Sequence, residues 1–233
     1  MGALDGKTVV VTGATRGIGR SLARRLSAEG ARLGVCGRDE AALSELEGSL
    51  ATPVVTAAFD LSLETPALEF LEKVRTELGG IDILVNNAGF NPRKAPLAEV
   101  GTDEFDSIMA VNLRAPFLLM RETAREMKER GGGHVINILS TVCHSDMATM
   151  GAYTAAKEGL RALTNVFRKE VLEDGIRVTA VYPGGTDTDF RPNPRPDYMK
   201  PSSVADAVLT ALTLPEDLVV HELTFRPMVE NNF

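Results

Sequence analysis

Tyr153 and Lys157 stand four residues apart in GAYTAAKEGL, residues 151–160, among small helix formers. Residues at i and i+4 project from one helical face, so the phenol and the ammonium would lie side by side. Such a pair is either a surface contact or a proton-transfer site. A phenol with an ordinary pKa of about 10 is a poor base at neutral pH. A positive charge about 5 Å away, at an effective dielectric near 20, favours phenolate by roughly 3 kcal/mol, or about two pKa units. The spacing sets a lysine where it can tune a tyrosine.

A second stretch with chemistry in it lies near the N-terminus, where KTVVVT runs into GATRGIGRSLARRL and Gly13, Gly17 and Gly19 open an amphipathic helix. A strand, a glycine turn and a helix N-terminus together aim free N–H groups and the helix dipole at one spot, and pyrophosphate is the expected guest. The end of the second apolar run reads Cys36, Gly37, Arg38. An acidic side chain at that point takes the ribose hydroxyls of NAD. Gly37 brings no carboxylate, and Arg38 brings a planar cation for a 2′-phosphate, with Arg16 of the glycine loop within reach of the same group. Asp39 precedes EAALSEL and reads as a helix N-cap rather than a ribose ligand. The expected cofactor is NADP(H) in preference to NAD.

These residues need a scaffold. The β-branched runs KTVVV, ARLGVC, TPVVTAAF, IDILVN, HVINIL and IRVTAVY alternate with stretches of helical period, which predicts a parallel sheet covered on both faces. Glycine follows the helical stretches at Gly30, at Gly79 and Gly80, and at Gly131 to Gly133. One α/β domain over residues 1–233 is expected, with about seven strands. The Pro-rich stretch from Phe190 to Pro201 cannot be regular helix. Residues of about 189–201 are expected to form a mobile lid, with Phe190 and Tyr198 as apolar anchors and Arg191 and Arg195 toward solvent or an anion.

The motifs TGATRGIG, NNAG at Asn86 to Gly89, Ser140 upstream of YTAAK, and PGGTDT at Pro183 to Thr188 together resemble the short-chain dehydrogenase/reductase family, single-domain branch. The resemblance runs from about Lys7 to Phe225 and implies a Rossmann-type doubly wound sheet. It implies Tyr153 as general acid/base, Lys157 as its partner, Ser140 as the hydroxyl that holds the substrate oxygen, and Asn112 in AVNLRAPF as anchor of a water-linked proton path. For the cofactor it implies Gly13, Thr15, Arg16, Gly17, Ile18 and Gly19 around the phosphates, Asp60 with Leu61 at the adenine, and Asn87, Ala88 and Gly89 along the dinucleotide. Tyr153 and Lys157 would also touch it, and Pro183, Gly184, Thr186 and Thr188 would meet the nicotinamide end. Departures cluster around the substrate. Leu139 stands where a first serine is common, Val142 and Cys143 where alanine and glycine are, and the Pro-rich loop where relatives often form a helix.

Bulk properties narrow the classes. The chain of 233 residues carries a formal charge of -7, which argues against a nucleic-acid surface or an anionic membrane. Two cysteines, no cationic leader and no apolar run of membrane length point to a reducing cytoplasm. A myristoylation signal from Gly2 lacks its Ser or Thr, because position 6 is Gly6. No spacing of His, Cys and carboxylates suggests a metal, and Cys143 beside His144 lacks a third group to orient a thiol nucleophile. The leading expectation is a carbonyl reductase or alcohol dehydrogenase acting on a small molecule. A 3-oxoacyl thioester (acyl carrier protein) reductase is the second, although the net charge disfavours docking an acidic carrier. A non-catalytic NADP(H)-binding sensor is the third. The resemblance further implies a homo-oligomer, tetramer or dimer, packed through the helices that carry Asn112 and Tyr153.

Overall fold

The first strand, β1 (Thr8–Thr12), is buried along its whole length, and its alternation feeds two cores. Val10 packs into one apolar cluster and Val9 and Val11 into the other. A computed structural model describes residues 2–190, 193–215 and 217–230. The strands are β1, β2 (Arg32–Gly37), β3 (Val54–Ala58), β4 (Ile83–Asn86), β5 (Gly133–Ile138), β6 (Ile176–Pro183) and β7 (Glu222–Phe225). They form a parallel seven-stranded sheet in the order β3-β2-β1-β4-β5-β6-β7.

Helices α1 (Gly17–Ala28), α2 (Glu40–Glu47) and α7 (Pro201–Leu212) cover one face through Leu22, Leu26, Leu43, Leu46 and Val208. Helices α3 (Glu64–Leu78), α4 (Thr102–Met109), α5 (Ala115–Glu129) and α6 (Gly151–Glu170) cover the other through Leu71, Val74, Ile108, Leu119 and Leu160. Burial on both faces explains why the interior strands read as continuous apolar runs. This is the expected doubly wound, Rossmann-type sheet. Strand order reverses beside β1, so the loops after β1 and β4 diverge and leave a crevice at the carboxyl ends of the strands.

Two features depart from or sharpen the expectation. The six apolar runs are the first six strands, whereas β7 is a four-residue edge whose side chains alternate between exposed and half-buried. The helix over residues 102–129 is interrupted by a π-helical turn, Ala110–Arg114, that contains Asn112. Asp39 is the N-cap of α2 and accepts from the Ala42 N–H at 3.0 Å, as the sequence predicted.

The loop after β6 carries internal bonds among its described residues. Arg191 and Pro192 lie outside the described residues. Downstream of them the chain is fastened: Asp187 accepts from the Arg195 N–H at 2.7 Å and donates its own N–H to Met199 O at 2.8 Å. Arg195 pairs with Asp197 and covers the Tyr198 ring at 4.0 Å, so its charge is already engaged. Among the described residues no helix is long and apolar enough to cross a membrane, and no group of three or more His, Cys, Asp or Glu side chains could hold a metal ion.

Candidate active site

Helix α1 opens the site. Arg16 is its N-cap in extended backbone with no side-chain cap, and the helix hydrogen bonding begins with Arg20 N–H to Arg16 O at 3.2 Å. The N–H groups of Gly17, Ile18 and Gly19 therefore have no helical acceptor. No acidic residue lies in the first turn to neutralise the dipole. Gly13 has φ +68, and a Cβ on Gly19 would collide with Gly13 O and the Asn87 amide. The turn has no room for a side chain at Gly13 or Gly19, and its free N–H groups suit an anion.

Beside this turn lies a cleft of about 220 Å³ lined by Gly13, Thr15, Arg16, Gly37, Arg38, Asp60, Leu61, Ala88 and Gly89, with Phe90. Arg38 is held over the Phe90 ring at 5.8 Å. The Ser62 N–H bonds the Asp60 carboxylate at 2.9 Å and, with Arg38 nearby, holds its pKa below the usual value. Gly37 lacks a carboxylate, as read, but a side chain there would also collide with the Thr15 methyl group. Its glycine thus has a packing reason as well as an electrostatic one.

Asn87 does not line that cleft. Its amide donates to Thr12 O at 2.9 Å and Gly13 O at 3.2 Å, while the Asn87 and Ala88 N–H groups both reach Thr12 Oγ1 at 3.0 Å. This residue ties the ends of β1 and β4 together, and Ala88 and Gly89 supply the exposed surface.

At the ends of β5 and β6 stand the remaining groups. Ser140 follows β5 and accepts from the Val142 N–H at 3.3 Å, a long bond that leaves its hydroxyl proton for another acceptor. Helix α6 presents Tyr153 and Lys157, both buried. Lys157 Nζ donates to Ile138 O at 2.9 Å and stands 5.7 Å from the centre of the Tyr153 ring. Burial lowers the Lys157 pKa to about 8. The expected cationic neighbour is thus in place, and it remains largely charged at neutral pH. Cys143 has its thiol pushed up to about 11, chiefly by burial. His144 stacks on Tyr182 at 4.5 Å, so the two adjacent residues do not form a nucleophile pair.

Asn112 is fully buried, and its side chain is used locally. Its Oδ1 accepts from Phe90 N–H at 3.1 Å, and its Nδ2 donates to Phe90 O at 2.7 Å and Ile108 O at 2.8 Å. These bonds fasten the segment after β4 to the π-helical turn. Phe190 closes the far side, its ring 5.8 Å from that of Tyr153 and against Gly89. It thus touches both Gly89 of the cleft and the Tyr153 ring.

The turn after β6 carries Pro183, Gly184, Thr186 and Thr188. Thr186 donates to Gly184 O at 3.1 Å, and the Thr188 methyl packs against Gly17. Two residues that sequence reading missed lie behind it: Glu230 accepts from the Gly185 N–H at 3.0 Å, with Arg226 3.8 Å away.

Residues 7–198 match the family described as short chain dehydrogenase. The chain belongs to the short-chain dehydrogenase family. It is an oxidoreductase of that family. This short-chain dehydrogenase is 32% identical over 228 residues to an uncharacterized oxidoreductase of Staphylococcus epidermidis, with 95% of this chain and 97% of that protein covered. A metagenomic short-chain oxidoreductase in complex with NADP superimposes with a TM-score of 0.88 at 34% identity, covering 98% of this chain and 100% of that one. An alcohol dehydrogenase from the archaeon Thermococcus sibiricus, complexed with 5-hydroxy-NADP, gives a TM-score of 0.89 at 30% identity, over 97% and 98% of the two chains.

Proposed function

We propose that the protein is an NADP(H)-dependent oxidoreductase that interconverts a carbonyl and a secondary alcohol, with Tyr153 as general acid/base. The observation that carries this reading is the buried Lys157 ammonium, fixed by Ile138 O at 2.9 Å and set 5.7 Å from the Tyr153 ring. Its charge favours phenolate, so the Tyr153 hydroxyl gives up its proton to a developing alkoxide and recovers it in the reverse direction. Ser140, at the end of β5, donates its free hydroxyl proton to the same oxygen and orients it. Asn112 acts here by holding Phe90 and the cofactor wall, and a proton path beside it is part of the same proposal.

The residues present fit a dinucleotide phosphate. The N–H groups of Gly17, Ile18 and Gly19 have no helical acceptor, and Arg16 and Arg38 both line the adjoining cleft. With Gly37 in the position of an acidic ribose ligand, the cleft favours a 2′-phosphate, and the two solved relatives were complexed with NADP and 5-hydroxy-NADP. Bound NADPH supplies the hydride. Pro183, Gly184, Thr186 and Thr188 are assigned to its nicotinamide end, Asp60 and Leu61 to its adenine side, and Ala88 and Gly89 to its flank, with Asn87 behind them as the brace between β1 and β4. The domain is taken as single over 1–233. Exposed Phe117 on α5 and Leu163 and Val166 on α6 are assigned to contact with a second copy of this chain, checked by sedimentation.

The test is NADPH oxidation over a panel of aldehydes, ketones and 3-oxoacyl thioesters, with NADP reduction by secondary alcohols as the reverse. Turnover with a carbonyl, abolished by Tyr153→Phe, is expected. NADPH binding without turnover on any member would favour a sensor instead.

A further inference from the structure

We infer that Glu230 is a positioning residue for the nicotinamide end of the cofactor site, acting through the backbone of Gly185. The inference rests on the proposed role of the Pro183–Thr188 turn. Strand β6 ends at Pro183, and the chain must then turn to bring Thr188 against Gly17 of the glycine loop. Local bonds within that turn are few: Thr186 Oγ1 donates to Gly184 O at 3.1 Å.

What fixes the turn comes from two distant segments. Gly184 N–H donates to Phe225 O at 2.9 Å at the end of β7. The chain then folds back, with Glu230 N–H donating to Pro227 O at 3.0 Å, and this places the Glu230 carboxylate beneath the turn. Its Oε1 accepts from the Gly185 N–H at 3.0 Å. From the other side Gly185 O accepts from the Met199 N–H at 3.1 Å, and the Tyr198 ring packs on Gly185. The Gly185 residue is held by its N–H and its carbonyl at once.

The fit is close. A Cβ on Gly184 would lie 2.6 Å from Glu230 Oε2, and one on Gly185 2.6 Å from Oε1. Both glycines leave only the space the carboxylate fills. Glu230 and Arg226 are mostly buried and 3.8 Å apart, and Oε2 has no hydrogen-bond partner among the described residues. Burying a carboxylate oxygen in this way is costly. A purely structural contact to one N–H could be made by a neutral or solvated group. The arrangement is better explained by a demand for the orientation of the turn itself, since rotating the Gly185 peptide would swing Thr188 away from Gly17.

The experiment compares dissociation constants of NADPH, by its fluorescence, and of 2′,5′-ADP, which carries the adenosine and 2′-phosphate but no nicotinamide. Glu230→Ala is expected to weaken NADPH by about tenfold, the order of one charge-assisted hydrogen bond, and to leave 2′,5′-ADP within about twofold. Glu230→Gln, which keeps the acceptor oxygen, is expected to restore NADPH binding. Glu230→Asp withdraws the carboxylate by one methylene and should repeat the split if the alanine variant folds poorly. Equal weakening of both ligands, or no weakening of either, would overturn the inference. Failure of the unaltered protein to bind 2′,5′-ADP would count against the cofactor reading instead, because Glu230 plays no part at that end.

Discussion

Lys157 Nζ stands 5.7 Å from the centre of the Tyr153 ring while donating to Ile138 O at 2.9 Å. Both side chains project from α6, and the bond to Ile138 O ties the lysine head to the end of β5. On the proposed assignment, Tyr153→Phe should lower turnover by roughly 10²- to 10⁴-fold, the usual worth of a general acid/base, while NADPH binding persists. Near-normal turnover of the phenylalanine protein, read beside its NADPH fluorescence titration, would remove Tyr153 from the chemistry.

On the same assignment the pair sets a pH dependence. Burial depresses the Lys157 pKa to about 8, so its charge is present below that pH and is lost above it. Without the ammonium the phenolate is less stabilised in either direction of reaction. The kcat/KM for carbonyl reduction should accordingly fall as pH rises through about 8, reporting the free enzyme. A profile flat into the strongly alkaline range would show that the lysine charge is not needed.

On the proposed assignment, Arg38 decides cofactor choice. Loss of one charge-assisted contact to a 2′-phosphate is worth about 1.5 to 3 kcal/mol, so Arg38→Ala should cut the preference for NADPH over NADH by roughly ten- to a hundredfold. Gly37→Asp is a poorer probe, because any side chain there displaces Thr15 before it meets a cofactor. Steady-state kcat/KM with both cofactors decides the matter, and an unchanged ratio would return Arg38 to the role of a surface cation.

Asn112 gives a prediction about stability. Its amide satisfies Phe90 N–H, Phe90 O and Ile108 O in a fully buried position. Asn112→Ala leaves those groups unpaired and should destabilise the fold by roughly 1 to 3 kcal/mol or more. The urea midpoint should move down with the slope unchanged. An unmoved midpoint would mean that water takes over the bonds and that Asn112 is free for another task.

Legibility in the sequence followed the range of the interactions. The interior strands β1, β2, β4, β5 and β6 announced themselves because burial on both faces demands unbroken apolar runs, the edge strand β3 through its β-branched TPVVTAAF, and Asp39 because an N-cap is a local device. The pairing of Tyr153 with Lys157 was legible for the same reason, being one helical turn. What escaped was long-range. The edge strand β7 has only a four-residue alternation, and the Glu230 bond to Gly185 spans 45 residues. Asn112 was singled out only through the family resemblance, because its partner Phe90 lies 22 residues away and the π-helical turn that aims it has no compositional sign. Gly37 illustrates a subtler limit, since one residue answers both to electrostatics and to the Thr15 methyl group.

His134 supplies a test of acid sensitivity remote from the chemistry. It lies in β5, buried, opposite Arg177 in the β6 register. Thr179 Oγ1 donates to Val220 O at 2.6 Å, so it accepts from His134 Nε2–H at 2.8 Å, and Nδ1 carries the lone pair without a hydrogen-bond partner among the described residues. Burial, with Arg177 adding repulsion, lowers the His134 pKa to about 3. The folded pKa lies below the unfolded value of about 6.5, so the neutral form is shared by both states above pH 6.5 and nothing is lost there. As pH falls below that value the unfolded chain binds the proton first, and stability drops by up to about 1.4 kcal/mol per pH unit until the folded state also protonates. Between pH 7 and pH 5 this single group should remove roughly 2 kcal/mol. His134→Gln keeps a donor for Thr179 but cannot titrate, so its urea stability should decline by that much less over the same interval. Equal acid losses in the two proteins would show that His134 protonates without cost and that the acid sensitivity resides in the carboxylates.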